Sequence, residues 1–469
     1  MLRVWHQWEA RFELCVSYFP SCMALALCLA VWCARTLKTT LPLPPGPRGL
    51  PIIGNALQLP NDYHEYEFSE WSDQYGDIAF VKFFRTPAII IGSAQIAKDL
   101  MEKRSNIYSD RPNLVYIREM LGYKYELPFI RYGPRFRQIR KWFHDVFEVK
   151  AALHKYEPLQ RREALVVLDN LLEKPEGYVA HFNRSSIILE VIYGHRVTSD
   201  NDRFMLRARE AIYALSHAGS PGSHVVDFFP FLRYYPEWLP GAGFKHTAKK
   251  IHDMRAVMMD PPHRSVKSQV VTNTMTTFML AMVLHPDVLR KAQDEIDRVL
   301  GSRRLPRLDD RPSLPYLECV IKEVYRWRPA VPMTIHASTR DDEYEGYRIP
   351  SGSTLVVNIW RMSQDRNMYP SPEKFNPERF VGAPDDHDPR HYMFGFGRRI
   401  CPGQYFADSS VFLVLASLTA TMDISKARDE SGRPITPPVE FISGISTQPK
   451  PFRCTITPRS KQVVDLIRG

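Results

Sequence analysis

The chain has 469 residues, 44% of them hydrophobic and 12% aromatic, with a formal net charge of +10. That is ample for a large core, and after residue 51 there is no linker-like composition shift, internal repeat or low-complexity tract, so one large domain is expected where length alone suggests two or three. The charge does not read as a nucleic-acid footprint, because no basic tract with interleaved aromatics concentrates it. Its densest group, Arg135, Arg137, Arg140 and Lys141, is either a solvated surface or a patch for an acidic protein partner or anionic lipid. Seven cysteines with no CxxC pair and no zinc-like Cys/His spacing argue against a disulfide framework and for a reducing compartment.

Residues 15–34 carry no charge over 20 positions, long enough to span a bilayer as a helix, although Pro20 and Ser21 weaken its start. A cleaved signal peptide would be shorter and would follow a charge run of one sign. Here Arg3 and Arg11 are offset by Glu9 and Glu13. A buried hairpin helix is the other alternative. Arg35, Lys38 and Arg48 follow with no acid among them, which by the positive-inside rule puts the body of the chain, 52–469, on the cytosolic side and 1–14 on the lumenal side. Pro42, Pro44, Pro45 and Pro47 make 35–51 a stiff hinge.

Strands are predicted at Ile78–Phe84 and Ala88–Ile91 around the turn Arg85-Thr86-Pro87. Ser93 can cap a helix running to about Arg104, and 111–128 has no clear period and reads as a long loop. Arg135–Val149 reads as helix, and Glu157–Leu172 as an amphipathic helix with Pro158 in its first turn. Between 220 and 243, Phe228, Phe229, Phe231, Tyr234, Tyr235 and Trp238 alternate with prolines, a composition that suits core packing as well as a pocket cap or membrane contact. Val288, Leu289, Ala292, Ile296, Val299 and Leu300 fall at helical spacing between Pro286 and Gly301. Tyr316–Arg328 is the next helix, stopped by Pro329. Short strands are expected at Ala337–Thr339 and Thr354–Asn358, a helix from about Tyr405 to Ala420, and a strand at Cys454–Thr457. The fold class is mainly α with a minor β part.

The chemistry concentrates in Phe394-Gly395-Phe396-Gly397-Arg398-Arg399-Ile400-Cys401-Pro402-Gly403. One cysteine sits in a glycine-rich loop just ahead of an apolar helix. Glycines let the backbone approach a flat cofactor closely, N–H groups aimed at the sulfur tune its charge, and an arginine can fork onto a carboxylate. The bland reading of a lone cysteine is a buried structural thiol. The complete pattern Phe-x-x-Gly-x-Arg-x-Cys-x-Gly, however, resembles the haem-binding loop of cytochromes P450, in which a cysteine thiolate is the axial iron ligand.

Four further stretches share the resemblance. Glu323 and Arg326 match the family's Glu-x-x-Arg. Asn376-Pro377-Glu378-Arg379-Phe380 resembles its Pro-Glu-Arg-Phe segment, whose arginine joins that pair in a buried triad that fixes geometry more than it adds stability. Phe136-Arg137-Gln138-Ile139-Arg140 resembles Trp-x-x-x-Arg with Phe for Trp, and Ile335-His336-Ala337 resembles a propionate contact. The resemblance covers about residue 40 to the end and is nearest to fungal secondary-metabolism members such as the O-methylsterigmatocystin oxidoreductase-like group. It implies Cys401 as catalytic residue and ligand of the iron of haem b, and Phe394, Gly397, Arg399, Arg140 and His336 as further cofactor-binding residues. It also implies NADPH as electron source through NADPH-cytochrome P450 reductase, a lipophilic small-molecule substrate that is hydroxylated or epoxidised, contact with membrane lipid, and an endoplasmic reticulum location with a single-pass anchor.

One region departs from the family. Its long central helix carries Ala/Gly-Gly-x-Asp/Glu-Thr, an acid and alcohol that supply protons during oxygen activation. Counting back from His285-Pro286, those positions hold Ser265-Val266-Lys267-Ser268-Gln269-Val270, with no glycine, acid or threonine. The expectation is that several tens of residues, with the first half of that helix, are missing between Lys267 and Thr274. A one-turn shift that uses Asn273-Thr274 instead is the alternative. A missing segment would allow a haem-binding protein without normal oxygen activation, or a truncated gene product.

Overall fold

The computed structural model describes residues 41–60, 62–147, 150–184, 224–258, 265–301 and 303–469. The uncharged stretch 15–34 lies outside the described residues. Among those described, no helix is long and apolar enough to cross a membrane.

The chain divides into two compact units. The smaller one, as described, is 41–44 with 341–350. It is a hairpin of two strands, Asp342–Tyr344 and Tyr347–Ile349, joined by Glu345 and Gly346, both at positive φ. Two successive positive φ values are what a tight type I′ turn demands. Arg348 donates its backbone N–H to Pro42 and pairs through its guanidinium with Asp341.

Among the described residues, the larger unit, 45–340 with 351–469, is built on eight longer helices: α1 His64–Tyr75, α2 Pro134–Phe147, α3 Lys150–Glu173, α4 Gly243–Met258, α5 Ser265–Leu284, α6 Pro286–Leu300, α7 Pro315–Trp327 and α8 Gln404–Thr421. α8 is buried on every side from Ser409 to Thr419, and α5 from Thr272 to Val283, so these two apolar helices form the centre. α6 and α7 each turn one apolar face to them. Val288, Leu289, Ala292 and Ile296 come from α6, and Leu317, Val320, Ile321 and Val324 from α7. α3 closes the same core with Ala164, Val167, Leu168 and Leu171.

A four-stranded sheet flanks this core. Its strands, in chain order, are β1 Ile78–Phe83, β2 Thr86–Ile91, β3 Met333–Ala337 and β4 Thr354–Asn358, arranged β1-β2-β4-β3. β2 and β4 run parallel and the outer pairs antiparallel. Ile89, Ile90 and Ile91 are buried on both faces, as a central strand requires.

Several expectations shift here. The strand before the small hairpin is Met333–Ala337, because it pairs with β4 in register Met333↔Asn358; Ala337–Thr339 was the expected span. The helix expected at Glu157–Leu172 begins at Lys150, so Pro158 lies inside α3 and not in its first turn. A proline there cannot donate to the carbonyl four residues back, a local loss that the packing of α3 on α8 outweighs. The stretch 111–128 is not a plain loop but contains helical turns at Tyr116–Met120 and Tyr123–Tyr125, which bury Tyr116, Ile117 and Tyr123. The aromatic run divides. Phe228 and Phe229 pack on Phe84, whereas Phe231, Tyr234 and Trp238 are exposed.

Candidate active site

The cysteine loop is held by its own backbone. Cys401 N–H donates to the carbonyl of Phe394 at 2.8 Å, closing a turn around the 3-10 piece Gly397–Arg399. Gly395 (φ 80°) and Gly397 (φ 53°) take left-handed conformations inside it. At Gly397 a second constraint acts: a Cβ would stand 2.0 Å from the carbonyl oxygen of Met101, so no other residue fits. Cys401 is partly exposed and lies two residues before Gly403, the N-cap of α8.

Four cationic or imidazole groups gather on one side of the loop. Arg399 donates through Nε to the carbonyl of Ser109 at 2.8 Å and reaches that of Leu127 at 3.5 Å, while its Nη2 is buried without a partner. Arg111 donates to the next carbonyl, Pro128, at 2.7 Å, and its Nη1 is likewise buried and unpartnered. His336 is buried, with Nδ1 3.0 Å from the carbonyl of Tyr108. Arg140 donates to the carbonyl of Ile400, the residue before Cys401. Arg399 also lies over the ring of Phe136, 3.8 Å from its centre, the position that resembles a family tryptophan.

Their electrostatics show what is lacking. Burial, reinforced by Arg111, lowers the Arg399 guanidinium to about 8. Burial lowers Arg111 to about 10. Burial, then the charges of Arg111 and Arg399, hold His336 well below the ordinary histidine range. The nearby carboxylate, Asp110, is already bonded to Arg131 and to the N–H of Tyr132. Two guanidinium groups with orphaned N–H donors and, among the described residues, no free anion of their own fit a bound dianion, such as the two propionates of a haem over a cysteine loop. Sequence reasoning missed Arg111. Its signal was only the pair Asp110-Arg111 in a stretch without periodicity.

The triad residues also meet. Glu323 and Arg326 on α7 are fully buried and bidentate, at 2.7 and 2.8 Å. Arg379 Nε stands 3.2 Å from the same carboxylate, which also accepts the N–H of Asn376 at 2.7 Å. Arg326 and Arg379 spend further donors on the carbonyls of Ser363, Lys374, Pro370 and Ser371. The charges are therefore satisfied, the condition for burying them at tolerable cost. Phe394 is in edge contact with Tyr325, the residue before Arg326, which links the loop to this helix.

On α5 the picture is different. Asn273 is buried and donates to the carbonyl of Thr447 at 2.9 Å, leaving its Oδ1 without a partner. The Thr274 hydroxyl is spent on the carbonyl of Val270 at 3.0 Å.

The cytochrome P450 family pattern matches residues 44–270 and 269–456. The chain is 42% identical to cytochrome P450 monooxygenase 176 of Postia placenta, covering 91% of this chain and 92% of that one. It is 40% identical to monooxygenase 136 of the same fungus (94% and 93% covered) and 38% identical to monooxygenase claR of Ampulloclitocybe clavipes (91% and 88%). The chain belongs to the cytochrome P450 family. It is thus an oxidoreductase of the haem-thiolate monooxygenase class, which implies a haem iron, a redox partner and a small-molecule substrate.

The match has one discontinuity. The two family segments meet at 269–270, inside α5. The alignment to monooxygenase 176 runs over 478 positions, whereas 91% of this 469-residue chain is about 427, so about 51 positions are filled by the relative alone.

Proposed function

We propose that this chain hydroxylates or epoxidises a lipophilic small molecule in fungal secondary metabolism, with Cys401 as the axial ligand of haem b. The carrying observation is a thiol on a backbone-locked glycine loop beside buried arginines that lack an anion. When bound, a thiolate-ligated haem supplies oxygen activation and insertion into C–H or C=C bonds.

The protein's own work is placement. Arg399, Arg111 and Arg140 would take the propionates, with His336 alongside, and Phe394 and Gly397 would give the ring a close, apolar approach. Leu114, Val115, Ile117, Phe129, Val226 and Ile251 form one apolar cluster with Ile335 and Ile445, which suits a lipophilic substrate. Arg135, Arg137 and Lys141 on α2 and Arg398 in the cysteine loop are exposed, a basic face for an acidic electron donor such as NADPH-cytochrome P450 reductase. The uncharged segment 15–34 supports a single-pass anchor in the endoplasmic reticulum membrane with the body in the cytosol.

The relatives' names favour oxygen activation over haem binding alone. The discontinuity at 269–270 supports a shortened central helix, which lacks the family's acid and alcohol. Asn273, with its free acceptor, and Thr274 stand nearest to that role. The test is turnover by the full chain with NADPH and a diflavin reductase on a panel of lipophilic substrates. Oxygenated product is expected, accompanied by much peroxide. Peroxide or haem reduction with no oxygenated product would contradict a monooxygenase function.

A further inference from the structure

A second polar cluster lies behind the cysteine loop, separate from the Glu323 triad. Asp408, on the second turn of α8, is its hub. Its Oδ1 accepts from Arg390 Nε at 2.9 Å and from the Tyr325 hydroxyl at 3.1 Å, and its Oδ2 accepts from Arg311 Nη1 at 2.7 Å. Arg390 also pairs with Glu318 at 2.7 Å and Asp388 at 3.0 Å. Arg311 grips Glu318 from the other side at 2.9 Å, and Lys322 completes the set on Asp388 at 3.1 Å. Three cations face three carboxylates, so the cluster is balanced in charge.

Its placement matters more than its sum. Arg390 lies four residues before Phe394, and Asp408 seven residues after Cys401. Their bond ties the two shoulders of the cysteine loop to each other. Tyr325 adds a second tie, because its hydroxyl holds Asp408 while its ring meets Phe394, whose carbonyl accepts the Cys401 N–H. Arg311 and Glu318 fasten the closed loop to α7. A closed loop has few conformations, and a bond made only when both shoulders are in place selects one of them.

We infer that Asp408 is a positioning residue for Cys401, acting through Arg390 and Tyr325 to set where the sulfur stands. The inference rests on the proposed role of Cys401 as the haem ligand.

The test uses the full-length protein and three variants: Asp408→Asn, Tyr325→Phe and Lys322→Met. Two readouts are taken. One is the fraction of bound haem that shows the red-shifted Soret band of thiolate ligation when reduced under CO. The other is the alkylation rate of Cys401 in the haem-free chain, followed by peptide mapping. Asp408→Asn should lower the thiolate-ligated fraction by about threefold and raise Cys401 alkylation by a similar factor, because a loosened loop samples more positions. Tyr325→Phe removes one hydroxyl and keeps the packing, so it should fold and move both readouts the same way by less. Lys322→Met, at the edge of the cluster, should lower the melting temperature and leave both readouts unchanged. If Asp408→Asn and Tyr325→Phe lose only haem content or melting temperature, with the thiolate fraction and alkylation of wild type, the positioning role is overturned. If wild type itself shows no thiolate band, the ligand assignment has failed, and the alkylation rates alone then decide whether Asp408 positions the loop.

Discussion

The cysteine loop and the central helix α5 belong to the same unit, yet they are specified differently. Around Cys401 several constraints agree. Gly397 has no room for a side chain, the Cys401 N–H closes on Phe394, and α7 and α8 clamp the loop from behind. Agreement across levels is what makes a site both recognisable and rigid. α5 is held mainly by hydrophobic burial, from Met275 to Val283, with one long-range hydrogen bond from Asn273 to Thr447. Burial tolerates a change of upstream sequence so long as an apolar helix remains. The family match passes through the loop unbroken and breaks in α5.

The comparison can be broken most forcefully at the triad. Arg326→Ala would leave Glu323 fully buried with only Arg379 and one N–H to hold its charge, and should cost about 3–5 kcal/mol, read by denaturant unfolding together with haem content. Full stability and full haem content would show that the loop does not depend on this support. The opposite operation sharpens the other side. Inserting a family-like segment with glycine and Asp-Thr between Lys267 and Thr274 should raise the ratio of product to peroxide by about 10². Efficient coupling by the unmodified chain would instead favour Asn273 and Thr274 as the working pair.

A smaller effect separates holding the cofactor from holding the fold. Arg111→Gln removes one of two like charges that lack an anion, so the haem-free protein should gain about 1 kcal/mol while haem is lost about tenfold faster. Equal losses in both states would make Arg111 a structural residue.

The smallest effect is one of pH. Burial and the charges of Arg111 and Arg399 keep His336 neutral in the folded chain, with its pKa below the unfolded value. As pH falls below about 6.5 the unfolded chain takes up a proton that the folded one refuses, so stability falls by up to about 1.4 kcal/mol per pH unit until the folded pKa is reached. His336→Gln should flatten this slope in unfolding measurements of the haem-free protein between the two pKa values. An unchanged slope would place the titrating group elsewhere.

Much of this architecture is legible in sequence because it is local. Pro286 and Gly301 bracket α6, Ser93 caps the helix that follows β2, and the loop pattern around Cys401 is contiguous. What is not legible depends on distant partners. Arg111 becomes a candidate only when Arg399 and His336 arrive from more than 200 residues away. Asp408 looks like an ordinary helix-surface acid until Arg311, Tyr325 and Arg390 converge on it. The register of β3 follows from its pairing with β4, and Pro158 is carried inside α3 by tertiary packing that local propensity does not contain.

The central claim is that Cys401 holds the haem iron as a thiolate. Its most direct test is the spectrum of the purified full-length protein, reduced and exposed to CO, beside that of Cys401→Ala. Wild type should show the red-shifted Soret band of thiolate ligation and the variant should lack it. A shifted band that persists in Cys401→Ala, or none in wild type that has bound haem, would contradict the account.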